Sequence, residues 1–179
     1  MSVEELGRLF PIILSEPDPA WAGLYTAERD RIMGAVGKEN LVRISHVGST
    51  SVPDLLAKPT IDILIEIKDS TDTVAFIRNL TGIGYGYTPQ PRSPPPHMMF
   101  MRGYSPRGFK GQAYHVHVRY CGDWDELIFR DYLITHPETA QEYADLKIRL
   151  KEKFEFDREA YTRGKTGFVR GIVQKARSA

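Results

Sequence analysis

Isoleucine recurs at positions 61, 63, 65 and 67, and no other feature restricts the fold of this chain as tightly. A period of two is the repeat of a β-strand, so these side chains share one face and belong in a core. The opposite face carries Thr60, Asp62, Leu64 and Glu66, which predicts a half-buried strand. An aspartate inside such a strand costs desolvation energy unless its face is wet, hydrogen-bonded or metal-bound. An exposed strand face is the plain alternative.

Upstream, Leu41 to Val47 reads as another strand, and Gly48 to Ala57 as a turn with one short helical turn, punctuated by Pro53 and Pro59. Asp18-Pro19 is an N-cap followed by proline, and it predicts a helix with Trp21, Leu24, Ile32, Ala35 and Val36 as its apolar stripe, ended by Gly37. Asp69 to Leu80 reads as a crossover helix broken by the glycines from Gly82 to Gly86. Five prolines between Thr88 and His97 predict an irregular loop. His97–Arg102 and Gln112–Tyr120 read as strands joined by a basic loop, Gly103 to Gly111.

Beyond that the pattern is helical: Trp124 to Thr135, Pro137 to about Phe154, and about Arg158 to Ala176. In the middle one, Ala140, Tyr143, Leu146, Leu150 and Phe154 form the predicted buried stripe, with Lys147, Arg149 and Lys151 off it. The expected class is α+β in one domain spanning 1–179, with a sheet core over 1–122 and a helical part over 123–179.

The net charge of +1 hides a polarity along the chain. From Thr73 to Gly122 there is no Asp or Glu, while Arg78, Arg92, Arg102, Arg107, Lys110 and Arg119 give +6, so the remainder carries −5. Such a segment favours phosphates or nucleic acid over a cationic partner, or else forms a solvated basic face. A single cysteine, Cys121, excludes an intramolecular disulfide. Glu4 and Glu5 precede the short apolar run Leu9 to Leu14, so neither a secretory signal nor a membrane span is expected. A cytoplasmic protein is the expectation.

Gly48-Ser49-Thr50 is the first candidate site. Glycine permits close backbone approach, and the hydroxyls and successive N–H groups suit phosphate oxygens. A structural turn is the alternative, since no Gly-Lys-Ser/Thr of a P-loop and no Gly-x-Ser-x-Gly elbow is present. Asp62 is a candidate metal ligand, because Mg²⁺ takes one or two protein carboxylates and completes its shell with phosphates and water. Lys58 adds a cation beside the turn. His115 and His117, two apart on a strand, share a face with alpha carbons about 6.6 Å apart. They suit a metal, a proton shuttle or a phosphate, or are simply neighbours on a wet face. Lys165 reaches a phosphate only if its helix folds back over the turn. The loop from Arg102 to Lys110, with Tyr104 and Phe109 interleaved, is a candidate for stacking on single-stranded nucleic acid.

These motifs, in order, resemble the GrpB family. The resemblance runs from Pro17-Asp18-Pro19-Ala20-Trp21 through His46-Val47-Gly48-Ser49-Thr50-Ser51-Val52-Pro53, Lys58-Pro59-Thr60-Ile61-Asp62-Ile63 and His115-Val116-His117-Val118. It continues with Phe129-Arg130-Asp131-Tyr132-Leu133, His136-Pro137 and Tyr161-Thr162-Arg163-Gly164-Lys165. The family's fold is similar to that of nucleotidyltransferases, which implies a mixed β-sheet with flanking helices and a C-terminal helical segment.

The resemblance also implies a function. Gly48, Ser49 and Thr50 would cradle the phosphates of a nucleoside triphosphate, with Lys58 and Lys165 countering their charge. Asp62, with His117 and His115, would hold Mg²⁺ or Mn²⁺, and His117 would be a second ligand or a general base. The reaction would move a nucleoside monophosphate to an RNA or small-molecule acceptor. Active members of the superfamily carry two acids spaced by one on this strand. Here Thr60 and Leu64 flank Asp62 at that spacing, so a non-catalytic nucleotide- or RNA-binding module with an incomplete metal site is the alternative.

Overall fold

The computed structural model describes residues 2–179. Five strands form one sheet: β1 (Leu41–Val47), β2 (Thr60–Ile67), β3 (Gly86–Pro89), β4 (Met98–Ser105) and β5 (Gly108–Tyr120). Their spatial order is β1-β2-β5-β4-β3, with β2 and β5 parallel and every other neighbouring pair antiparallel. Six helices accompany it: α1 (Val3–Leu9), α2 (Ala20–Val36), α3 (Thr73–Gly82), α4 (Asp125–Thr135), α5 (Pro137–Phe154) and α6 (Arg158–Ser178). No helix among the described residues is long and apolar enough to cross a membrane.

The isoleucine face of β2 behaves as its period requires. Ile61, Ile63, Ile65 and Ile67 are all fully buried, packed with Val116 and Val118 of β5 beneath Trp21, Ile32 and Val36 of α2 and Phe76 and Leu80 of α3. Each such side chain contributes about 1.5–3 kcal/mol relative to exposure. The opposite face is largely covered as well, contrary to the half-buried expectation, and only Asp62 stays partly open. Leu64 and Glu66 are fully buried there and Thr60 nearly so, because β2 is a central strand and α4 covers that side. Leu64 packs with Val47 of β1 and Leu127 of α4, while Glu66 accepts from Arg43 and from the Gly122 N–H at 3.0 Å.

Local signals place several boundaries well. Asp18 Oδ1 accepts from the Ala20 N–H at 2.8 Å, and Gly37 ends α2 at φ +83°. The glycine and proline stretch is the main departure. Gly86–Pro89 forms the edge strand β3, a position that tolerates Pro89 although proline has no N–H to donate. The expected basic loop 103–111 is mostly a hairpin, with Ser105 paired to Gly108. Helix α3 begins at Thr73, where Asp72 Oδ1 caps the Val74 and Ala75 N–H groups.

Helices α5 and α6 complete the other layer. Ala140, Tyr143 and Ala144 of α5 pack with Val52 and Leu55, which follow the turn after β1. This contact brings the C-terminal helices over the carboxylate face of the sheet.

Candidate functional site

The turn after β1 is built around Gly48, whose φ of +73° lies in the region that favours glycine. A Cβ there would collide with Asp62 Oδ2 on β2, so the absence of a side chain is what lets the turn pass against the carboxylate. Ser49–Ser51 then makes one 3-10 turn. Thr50 is directed into the fold: its hydroxyl donates to the Thr60 carbonyl at 3.0 Å and lies 2.9 Å from His46 Nε2. Since that hydroxyl has one proton, His46 must donate from Nε2. Burial first, then Arg130, lowers His46 to about 4 against the opposing pull of Asp62, so the ring is neutral. His46 also stacks on Tyr25, centroids 4.8 Å apart. Thr50 is thus a latch between turn and strand.

Asp62 faces both candidate histidines. Its Oδ1 is 3.4 Å from His115 Nδ1 and 4.0 Å from His117 Nε2. Burial pushes the carboxyl up, but the neighbouring His115, then His117 and the Lys58 amine, outweigh it and hold Asp62 below its usual range. His117 is lowered, chiefly by burial and partly offset by Asp62 and Glu126. On the far side of His115, Nε2 meets the Tyr104 hydroxyl at 2.6 Å. That bond and contacts with Phe10 and Phe109 pack Tyr104 against its neighbours, away from the stacking role suggested by the sequence.

Across from Asp62 stands a cationic wall that the sequence did not assemble. A cavity of about 320 Å³ is lined by Gly48, Ser49, Lys58, Thr60, Asp62 and His115 from the sheet side, and by Tyr143, Lys147, Arg158, Tyr161, Thr162 and Lys165 from α5 and α6. Lys147, expected off the buried stripe, is 2% exposed. Its Nζ donates to Ser49 Oγ at 3.0 Å and to the Leu56 carbonyl, and lies 4.7 Å from the Tyr143 ring centroid. Burial, then Lys165 and Lys58, brings its amine down to about 7. Lys58 is brought to about 8 by burial and by Lys165 and Arg158, and Lys165 is lowered chiefly by burial.

Tyr161 sits between Lys165 and Lys58, at 4.6 and 5.7 Å from its ring centroid. It is fully buried, and its hydroxyl has no hydrogen-bond partner. A buried donor left unpaired is uncommon and points to a ligand or water as its partner.

Of the residues singled out by sequence, Gly48, Ser49, Lys58, Asp62, His115 and Lys165 line this one cavity. His117 stands beside it through Asp62, and Thr50 is turned inward. Lys147, Arg158, Tyr143 and Tyr161 were missed. The signal was spacing: Ala140, Tyr143, Ala144 and Lys147 follow i, i+3, i+4, i+7, and so share a helix face. Arg158, Tyr161 and Lys165 repeat it. The +6 segment is not the source of the site's charge. Arg102 pairs with Glu28 at 3.0 Å and Arg119 with Glu126 at 2.8 Å, whereas Arg78, Arg92, Arg107 and Lys110 are exposed and do not line the cavity.

The family model described as GrpB protein matches residues 11–175. The chain belongs to the GrpB family. A UPF0157 protein of Pseudomonas aeruginosa is 40% identical over 163 residues, covering 90% of this chain and 66% of the relative. The UPF0157 protein YqkA of Bacillus subtilis is 32% identical over 160 residues, covering 88% of this chain and 45% of the relative. The chain therefore spans less than two thirds of the length of these two relatives.

Among solved structures, the conserved protein GrpB from Enterococcus faecalis superposes with a TM-score of 0.78 at 30% identity, covering 92% of this chain and 96% of that one. The Cid1 poly(U) polymerase, bound to MgGTP, superposes with a TM-score of 0.52 at 10% identity, covering 76% of this chain and 43% of that one. The GrpB fold is thus nucleotidyltransferase-like.

Proposed function

We propose that the cavity binds the triphosphate of a nucleoside triphosphate and that the protein transfers the nucleoside monophosphate to an acceptor: an acceptor hydroxyl bonds to the α-phosphorus, the bond from that phosphorus to the bridging oxygen of the β-phosphate breaks, and pyrophosphate leaves. The observation that carries this reading is the convergence of Lys58, Lys147, Arg158 and Lys165 on one carboxylate, Asp62, across the Gly48-Ser49 turn. Amines held close together and partly desolvated disfavour their own charge, and a polyanion relieves that repulsion. The unpartnered Tyr161 hydroxyl adds a donor. In this reading His117, whose neutral form burial favours, serves as the base that accepts the proton of the attacking hydroxyl.

Among the described residues, no group of three or more His, Cys, Asp or Glu is arranged to hold a metal ion unaided. Asp62 would offer Mg²⁺ or Mn²⁺ a single carboxylate, with phosphate oxygens and water left to complete the shell. Such an ion would neutralise charge on the phosphates. The test is transfer of labelled α-phosphate from each common nucleoside triphosphate in Mg²⁺ or Mn²⁺. Wild-type transfer abolished in Asp62→Asn is expected, and transfer that survives this change removes Asp62 from the chemistry.

A second reading rests on Leu64. It fills the place of a second strand carboxylate and is fully buried against Val47 and Leu127. A nucleotide- or RNA-binding module without turnover fits that substitution. Calorimetry showing nucleotide binding indifferent to Mn²⁺, with no label transfer, selects this reading over the first.

A further inference from the structure

Beside the phosphate cavity lies a second one of about 270 Å³. Lys58, Thr60 and Arg158 line both, so the two adjoin across two cationic side chains. Their characters differ. The second is walled mainly by apolar groups, with Pro11 and Ile13 on one side, Pro59 beneath, and Phe109 and Ala113 of β5 opposite. Phe109 and Ile13 are 39% and 45% exposed, so the recess opens to solvent on its apolar side.

The walls of this second cavity are held in place. The Ile12 N–H donates to the Glu155 carbonyl at 2.8 Å, and Ser15 and Ala57 exchange backbone bonds, which pins the Pro11–Ile13 segment. Arg158 Nη1 donates to the Phe10 carbonyl at 3.0 Å, and its guanidinium lies 5.9 Å from the Phe109 ring centroid. Phe109 packs edge-on against Phe10, centroids 5.2 Å apart. Gln112 Nε2 donates to the Pro59 and Ala113 carbonyls at 2.7 and 3.0 Å, fixing the floor. A pre-formed apolar recess with a few placed charges is the usual form of a small-molecule site.

We infer that this recess holds the acceptor, and that the acceptor is a small molecule with a flat apolar body and an anionic group, seated on Phe109 with its charge toward Lys58 and Arg158. The inference rests on the reading that the first cavity takes the triphosphate. A polynucleotide acceptor fits less well, because it requires an open basic track with exposed stacking rings. Here Tyr104 is bonded to His115, so of the two rings in this hairpin Phe109 alone is exposed.

Phenyl phosphate is the probe, with inorganic phosphate as its control, each titrated against the protein with and without a saturating nonhydrolysable nucleoside triphosphate. Phenyl phosphate is expected to bind about tenfold more tightly than phosphate with the nucleotide present. Phe109→Ala and, independently, Ile13→Asp should remove that preference while leaving nucleotide affinity unchanged; both positions are surface-exposed, and a thermal melt checks folding. Loss of phenyl phosphate binding when the nucleotide saturates overturns the inference, because the probe then reads only the first cavity. A Phe109→Ala variant that loses nucleotide affinity overturns it too, by assigning the recess to the nucleoside. Binding of a single-stranded RNA oligomer weakened by Ile13→Asp, with no phenyl phosphate preference, assigns it to a polymer. If the nucleotide itself does not bind, the triphosphate reading fails, and phenyl phosphate preference lost in Phe109→Ala still reports on the recess alone.

Discussion

Lys147 Nζ donates to Ser49 Oγ at 3.0 Å across 98 positions of sequence. The same amine reaches the Leu56 carbonyl, so one buried lysine of α5 holds both ends of the segment that leads from the Gly48-Ser49 turn toward β2. Lys147→Met keeps much of the volume and removes the charge. It leaves two acceptors unpaired, at about 1–3 kcal/mol for each buried group, but also removes the cost of desolvating an amine. A change in stability below about 2 kcal/mol is therefore expected, alongside a loss of about tenfold in affinity for inorganic triphosphate. Chemical denaturation and calorimetry on the same variant separate the two effects.

The depressed lysines make both stability and binding depend on pH. Between about 7, where Lys147 titrates in the fold, and 10.5, its ordinary value, this amine binds fewer protons folded than unfolded. Its contribution therefore rises with pH across that window and is lost as pH falls to about 7; Lys58 acts in the same direction from about 8 upward. A polyanion favours the charged amines, so triphosphate affinity should rise as pH falls from about 9 to about 7, with proton uptake on binding. Calorimetry in buffers of different ionisation enthalpy measures that uptake. Affinity that is flat across this range would contradict the role given to these lysines.

Gly48→Ala tests the turn. The new methyl meets Asp62 Oδ2 and lies 3.0 Å from Asp62 Cβ, in a backbone conformation at φ +73°. A loss of about 1–3 kcal/mol in stability is expected from the strained backbone alone. Triphosphate binding should fall further than in a variant of equal stability changed elsewhere.

Leu64→Asp supplies the carboxylate that the strand lacks, yet it should not create a metal site. Leu64 is fully buried between Val47 and Leu127, and an unpaired carboxylate there costs about 4 kcal/mol or more. A lower melting temperature with no gain in Mn²⁺ affinity is the expected result.

Glu28 provides a control remote from the cavity. It is 3% exposed and accepts from Tyr85 Oη at 2.8 Å, Arg31 Nη1 at 2.9 Å and Arg102 Nη1 at 3.0 Å. Glu28→Ala leaves the buried Tyr85 hydroxyl unpaired and frees two arginines that stay partly exposed, and should lower stability by about 1–3 kcal/mol. Triphosphate affinity of the folded fraction should stay at the wild-type value.

Much of the fold was legible because its signals are local. The isoleucine alternation, the Asp18 cap, Gly37 and Pro137 act within a few residues of themselves, and the corresponding elements lie close to where they predict. The edge strand β3 was hidden because its glycine and proline content reads as a loop, and only pairing with Met98–Met101 makes it a strand. The buried Glu28 was hidden for a similar reason. Its partners Tyr85 and Arg102 come from other elements.

By itself the sequence determined the strand–turn–strand unit that presents Gly48, Ser49 and Asp62, since period, turn chemistry and the need for glycine are properties of contiguous residues. Tertiary structure alone decided that Leu64 is core and that Lys147, Arg158 and Tyr161 close the site. Helical spacing shows that Lys147 shares a face with Tyr143, but a lysine is desolvated only where acceptors await it. Those acceptors, on Ser49 and Leu56, come within reach only when α5 packs against Val52 and Leu55.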